Sequence, residues 1–253
     1  MQTSRRTSAH IPVRSLVRSL TMLGAAFLAL ALGLGVASPA LAAPDVDVVA
    51  HRGSSGAAPE NTLAAVRLAI TQKADVIEND IQRTKDGALV IVHDTTLART
   101  TDVEDRFPAR APWNVGDFTL AEIKTLDAGS WFGPEFVGER VPTLGQWVRA
   151  VGSRAGMLLE VKAPELYPGI EIDVDKELRS LAAFNAAVRG DRVVIQSFNH
   201  AWLRTYADLA PDVPVGLLFA GGPPSEASSP TPQAGRTRRT PPWVTSQTRH
   251  SWT

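Results

Sequence analysis

Ala74-Asp75-Val76-Ile77-Glu78-Asn79-Asp80 decides the fold: a short apolar run that closes on two carboxylates with one residue between them. Side chains alternate along a strand, so Glu78 and Asp80 share a face. Three other runs end the same way. Val46-Asp47-Val48-Val49-Ala50 leads into His51, Ala88-Leu89-Val90-Ile91-Val92 into His93, and Met157-Leu158-Leu159 into Glu160, with Lys162 on the face of Glu160. Runs this short and aliphatic read as strands buried on both faces. Reactive groups collected at the carboxyl ends of parallel strands, where loops open to a substrate, are the arrangement of an α/β fold of the TIM type, a β/α barrel.

Two like charges on a buried face repel unless a cation lies between them. A divalent ion held by Glu78, Asp80 and Glu160 resolves that repulsion. Ligation by oxygen alone points to Ca²⁺ or Mg²⁺ rather than zinc, which usually recruits His or Cys.

The first 42 residues carry Arg5, Arg6, Arg14 and Arg18 and no acid, then an apolar stretch from Leu20 to Val36, then Ala40-Leu41-Ala42. That order predicts a secretory signal peptide cut near Ala42, hence a secreted or cell-envelope protein with no stable membrane span after cleavage. The apolar stretch slightly exceeds the usual length, which leaves a retained anchor as the alternative. Removing 1–42 leaves 211 of the 253 residues, near the low end for a barrel of eight units, about 200 to 250 residues. The chain has no cysteine, so its core must supply the stability without disulfides. Net charge is zero overall, yet residues 43–219 hold 18 basic and 25 acidic side chains, a net of −7. That balance excludes nucleic acid as a partner, because no basic face is there to release counterions.

Strands are expected at 46–51, 75–81, 88–93, 157–162, 192–198 and 213–219. Helices are expected after Pro59-Glu60, with Asn61 or Thr62 as cap and Leu63, Val66, Leu68 and Ile70 as apolar stripe, and over roughly 172–188 and 200–209. The Lys85-Asp86-Gly87 turn is too short for a crossover helix and predicts a hairpin-like step between the second and third strands. Residues 94–155 form a long insertion after the third strand, with a short capped helix at 118–123 and the aromatic pair Trp131-Phe132, and are read as a substrate lid or subdomain. His200 reads as a structural residue opening a helix. Residues 220–253 hold six prolines and four arginines, with no apolar run longer than two, which predicts a disordered tail.

His51-Arg52-Gly53, Pro59-Glu60-Asn61-Thr62, Glu78-Asn79-Asp80, Thr84-Lys85-Asp86-Gly87, His93-Asp94, Arg99-Thr100-Thr101 and Glu160-Val161-Lys162, in this order, resemble the glycerophosphodiester phosphodiesterase family. Leu126-Asp127-Ala128-Gly129-Ser130, Val141-Pro142-Thr143-Leu144 and Gln196-Ser197-Phe198 are similar to it as well. The resemblance covers about residues 46–219. It implies a β/α barrel with an insertion after the third strand, His51 and His93 as the acid/base pair, Arg52 and Lys162 on the substrate phosphate, and Glu78, Asp80 and Glu160 on the metal. It also implies hydrolysis of a small glycerophosphodiester to glycerol 3-phosphate and an alcohol, in which, in the family mechanism, the neighbouring glycerol hydroxyl attacks phosphorus and water opens the cyclic phosphate; direct attack by water is the other route left open. The alternatives are a phospholipase-D-like enzyme acting on lysolipids or sphingolipids, and an inactive truncated product. Two departures stand out. Asn79 replaces the apolar residue usual between the two acids, and is expected to face the helix layer as a modest packing defect. The family pattern stops near Gly222, which predicts a frameshifted or truncated gene product lacking the last two strand-helix units.

Overall fold

The structure is a computed structural model that describes residues 47–220. The expected signal peptide at 1–42 and nearly all of the segment 220–253 lie outside the described residues. Six strands form one sheet: β1 (Val49–Ala50), β2 (Val76–Arg83), β3 (Leu89–Ile91), β4 (Gly156–Val161), β5 (Val193–Ser197) and β6 (Val215–Leu217). The order is β1-β2-β4-β5-β6, every neighbouring pair parallel, with β3 antiparallel on β2. Parallel strands joined by helices are the α/β barrel architecture expected from the sequence. Ile81 pairs with Val161 of β4 and with Ile91 of β3, so β3 lies on the edge of β2 that β1 occupies, beyond the end of β1.

Burial follows the expected logic of strands covered on both faces. All of β2 from Val76 to Gln82 is buried, including Glu78, Asn79 and Asp80. Helix α1 (Leu63–Thr71) begins at Thr62, whose hydroxyl accepts from Ala65 N at 3.2 Å. Its buried face is Ala65, Val66 and Ala69; of the expected stripe only Val66 is fully buried, with Leu63, Leu68 and Ile70 half-buried. Small residues are needed because the turn after β1 packs against the helix: a Cβ on Gly53 would stand 2.7 Å from that of Ala65. Asn61 does not cap; it is used elsewhere.

Three expected boundaries need correction. The strand predicted over 46–51 shrinks to two residues, because His51 already opens a turn in which Gly53 N donates to Ala50 O. The helix predicted over 172–188 is two, α5 (Ile170–Arg179) and α6 (Ala182–Arg189). At the break the Ser180 hydroxyl and the Asn185 side-chain amide donate to the carbonyls of Glu177 and Arg179, and both Leu178 and Phe184 reach the core. The insertion ends at Thr143 rather than at 155. There the threonine caps α4 (Leu144–Val151) in a reciprocal box with Gln146. This helix buries Leu144, Trp147, Val148 and Val151 in the main core and is the crossover into β4. At about 1.5–3 kcal/mol for each fully buried aliphatic side chain, it belongs to the barrel.

What remains of the insertion carries its own small core around Val103, Val115, Phe118, Ile123 and Leu126. It includes the one-turn helices α2 (Val103–Arg106) and α3 (Leu120–Ile123), the second being the expected capped helix, opened by Thr119. Asp127 organises its outer loop by accepting backbone N–H groups of Gly129, Ser130 and Gly138, and is held at a pKa of about 2 by these bonds against the opposing effect of burial. After β5, α7 (His200–Leu209) is capped by Asn199. His200 Nε2 lies 2.8 Å from the Leu218 carbonyl, in the structural setting expected of it. Among the described residues, no helix is long and apolar enough to cross a membrane.

Candidate active site

The carboxyl ends of β1, β2, β3 and β4 gather every candidate residue read from the sequence. Glu78 and Asp80 project from β2, and Asp80 stands in register with Glu160 on β4. Each of the three acids offers an oxygen, all within 4.8 Å of one another, and all three are buried. Burial, then the charge of Asp80, pushes the Glu78 carboxyl well above its ordinary pKa. The same two causes raise Glu160. Such a cluster is stable only protonated or around a cation.

Cationic side chains hold part of that charge. Arg52 Nε lies 3.4 Å from Asp80 Oδ2, and its backbone N–H donates to Glu78 Oε2 at 2.7 Å. Lys162 Nζ sits 2.8 Å from Glu160 Oε1 and 3.7 Å from Asp80 Oδ1, with the Phe198 ring 5.5 Å away. Glu60 receives Arg52 and Arg99, and Arg99 also forks onto Asp94 at 2.7 and 3.1 Å. Burial opposes ionisation of Glu60, but the hydrogen bond from Arg99 and the charge of Arg52 outweigh it and hold the carboxyl below its usual value. Asp94 is held at about 2, chiefly by its hydrogen bond from Arg99.

The acids Glu60, Glu78, Asp80, Asp94 and Glu160 thus outnumber the bases Arg52, Arg99 and Lys162 by two. A divalent cation closes this balance. The donors fit one: Glu78 Oε1 and Asp80 Oδ1 are buried and accept no hydrogen bond among the described residues. An all-carboxylate set is a hard-cation site.

Backbone strain marks the same place. Arg52, at φ +59°, and Asn61, at φ +61°, are both in the left-handed region, where a non-glycine residue costs of order 1–3 kcal/mol. They hold one another, with Asn61 N donating to Arg52 O at 2.9 Å, and the Asn61 amide donates to Asp80 Oδ2 at 2.8 Å. That bond orients Asp80 and leaves its other oxygen facing the cluster. Sequence alone left Glu60, Asn61 and Thr62 open between capping a helix and lining the site, and assigned no role to Asp94 or Arg99. The cue to Asn61 was its place beside the actual cap Thr62; the partners of Arg99, 39 residues away at Glu60, carry no local signal.

His51 stands at the rim, exposed as a residue. Enough protein surrounds its imidazole that desolvation, then the charge of Arg52, lowers its pKa from the ordinary value. His93 Nδ1 lies 2.6 Å from Asp94 Oδ1, so Nδ1 carries a proton toward the carboxylate and Nε2 is the nitrogen left for chemistry. An open cleft of about 480 Å³ begins at Glu160 and Lys162 and runs between the ends of β4 and β5 past Phe198. The site therefore offers a hard-cation cage, two cations for an anion, and two histidines for proton transfer.

The sequence pattern of the Glycerophosphoryl diester phosphodiesterase family matches residues 51–250. The chain belongs to this family. The match takes in all seven candidate residues and runs beyond the described residues. The chain is 45% identical over 177 residues to the glycerophosphodiester phosphodiesterase of Caldanaerobacter subterraneus subsp. tengcongensis, covering 69% of this chain and 67% of that one. Among solved structures it is similar to the glycerophosphodiester phosphodiesterase of Agrobacterium tumefaciens, with a TM-score of 0.58 at 34% identity over 68% of this chain and 67% of that one. An Oleispira antarctica phosphodiesterase, solved with its product sn-glycerol-3-phosphate, gives a TM-score of 0.58 at 33% identity over 68% of this chain and 65% of that one. The chain thus spans about two thirds of the length of these relatives.

Proposed function

We propose that this protein hydrolyses glycerophosphodiesters to glycerol 3-phosphate and an alcohol, with Ca²⁺ or Mg²⁺ at Glu78, Asp80 and Glu160. The observation that carries the reading is the convergence of that buried carboxylate trio with Arg52, Lys162 and two histidines on one rim of the sheet. A phosphodiester is anionic, so its hydrolysis needs positive charge at the non-bridging oxygens. When bound, the cation supplies such charge and polarises the phosphoryl group. Arg52 and Lys162 bind the phosphate; both stand against Asp80, and Lys162 also lines the open cleft. His51, its pKa lowered by burial and Arg52, is uncharged near neutral pH and takes the proton of the attacking oxygen. His93, oriented by Asp94 at Nδ1, gives the Nε2 proton of its imidazolium form to the leaving alkoxide. The product held by the Oleispira relative is the one expected here. The relatives named above favour this substrate class over the lysolipid and sphingolipid alternative.

The test is hydrolysis of glycerophosphocholine, with glycerol 3-phosphate and choline measured separately. His51→Ala and His93→Ala are each expected to lower kcat by the roughly 10²–10⁴-fold of a lost proton-transfer group, and a chelator to abolish activity reversibly. If both histidine variants keep near-normal turnover, the assignment fails.

A further inference from the structure

One set of buried polar groups that this reaction does not use converges on His93. Gln82 stands on the face of β2 that carries Glu78 and Asp80, one step nearer the carboxyl end, and is fully buried. β3 leaves the ladder just beyond Ile91: Val92 N still donates to Asp80 O at 2.9 Å, and the chain then turns out of the sheet. Across that turn the Gln82 amide nitrogen shares its two N–H groups among three successive carbonyls, Val92 at 2.9 Å, His93 at 3.3 Å, and Asp94. The amide oxygen accepts the hydroxyl of Tyr167 at 2.8 Å. The carbonyls decide which end of the amide is nitrogen, since they can only accept, and so leave the oxygen for the hydroxyl proton of Tyr167.

Tyr167 is itself fixed. It is buried, it follows Lys162 by five residues in the loop after β4, and the Arg83 guanidinium lies 5.9 Å from its ring. Gly116 of the insertion approaches so closely that a Cβ there would stand 3.3 Å from the ring edge.

We propose that Gln82 and Tyr167 are positioning residues for His93, locking the turn that bears the imidazole onto β2 and tying it to the loop that carries Lys162. Two N–H groups shared among the Val92, His93 and Asp94 carbonyls hold the peptide planes on both sides of His93, and with them the direction of its side chain. A misplacement of about 1 Å at a reacting group costs on the order of 10²-fold in rate, so a device of this kind has a catalytic purpose. The inference rests on the reading of His93 as a proton-transfer residue.

The experiment compares Tyr167→Phe, which keeps the ring, with Gln82→Met, near in shape but without donors, and with His93→Ala, in the full chain. Steady-state hydrolysis of glycerophosphocholine is read beside ¹H–¹³C spectra of histidine-labelled protein. Tyr167→Phe is expected to lower kcat about tenfold, the equivalent of one hydrogen bond's worth of placement, with KM within twofold. Gln82→Met is expected to lose more. In both, the His93 imidazole resonances shift or broaden while those of His51 and His200 stay in place. If Tyr167→Phe leaves kcat and the His93 resonances unchanged, or if all imidazole resonances move together, the positioning role is overturned. If instead the His93 resonances alone respond while His93→Ala retains full turnover, the positioning stands and the proposed catalytic role of His93 falls.

Discussion

Asn79→Val should stabilise this protein. The residue is fully buried, and neither atom of its amide has a hydrogen-bond partner among the described residues. It alternates with Glu78 and Asp80 on β2 and stands in register with the buried Leu159, so its side chain lies on the sheet face away from the acids. A buried polar group left unpaired costs about 1–3 kcal/mol. That exceeds the modest packing defect expected from sequence. Valine removes the penalty, suits a buried strand and differs little in size, which keeps overpacking small. The expected gain is about 1–3 kcal/mol, at roughly 2–4 °C of Tm per kcal/mol for a domain of this size. Urea unfolding followed by circular dichroism, with chelator and separately with Mg²⁺, measures it. The slope should stay constant while the midpoint rises, and kcat should stay within twofold because the catalytic face is untouched. An unchanged or lowered midpoint at constant slope would show that water satisfies the amide, and would refute the reasoning.

Metal and protons should compete for the acidic trio. A carboxyl whose folded pKa is raised stabilises the fold below its unfolded value and withdraws that stability as pH rises through the folded one. Glu78 and Glu160 both shift this way, so the rise in Tm produced by Ca²⁺ or Mg²⁺ should grow between pH 5 and pH 8; calorimetry showing a pH-independent rise would place the ion elsewhere. Gly53→Ala should destabilise by about 2–4 kcal/mol, because φ is +80° and the new Cβ would meet Ala65 at 2.7 Å. A loss under about 1 kcal/mol in denaturant titration would mean that the turn after β1 relaxes freely.

Periodicity and charge, which are properties of neighbours in the chain, were enough to place most of the site. The strand period of two puts Glu78 with Asp80 and Glu160 with Lys162, and burial makes like charges on one face intolerable without a cation. The hairpin step at Lys85-Asp86-Gly87, the short capped helix at 118–123 and, to within a residue, the ends of β4 and β5 were legible for the same local reason. Only the fold decided what depends on contacts across the sheet: that Asp80 stands opposite Glu160, that Asn61 orients Asp80 instead of capping a helix, and that Arg99 braces Glu60 and Asp94. Long-range hydrogen bonds of this kind leave no periodic trace. Boundaries slipped where tertiary packing overrides local propensity, as in α4, whose buried Leu144, Trp147, Val148 and Val151 make it part of the barrel rather than of the insertion. Gln82 shows the division most plainly: its face was readable from the alternation of β2, while its grip on the turn at His93 and its partner at Tyr167 exist only because the sheet brings three segments together.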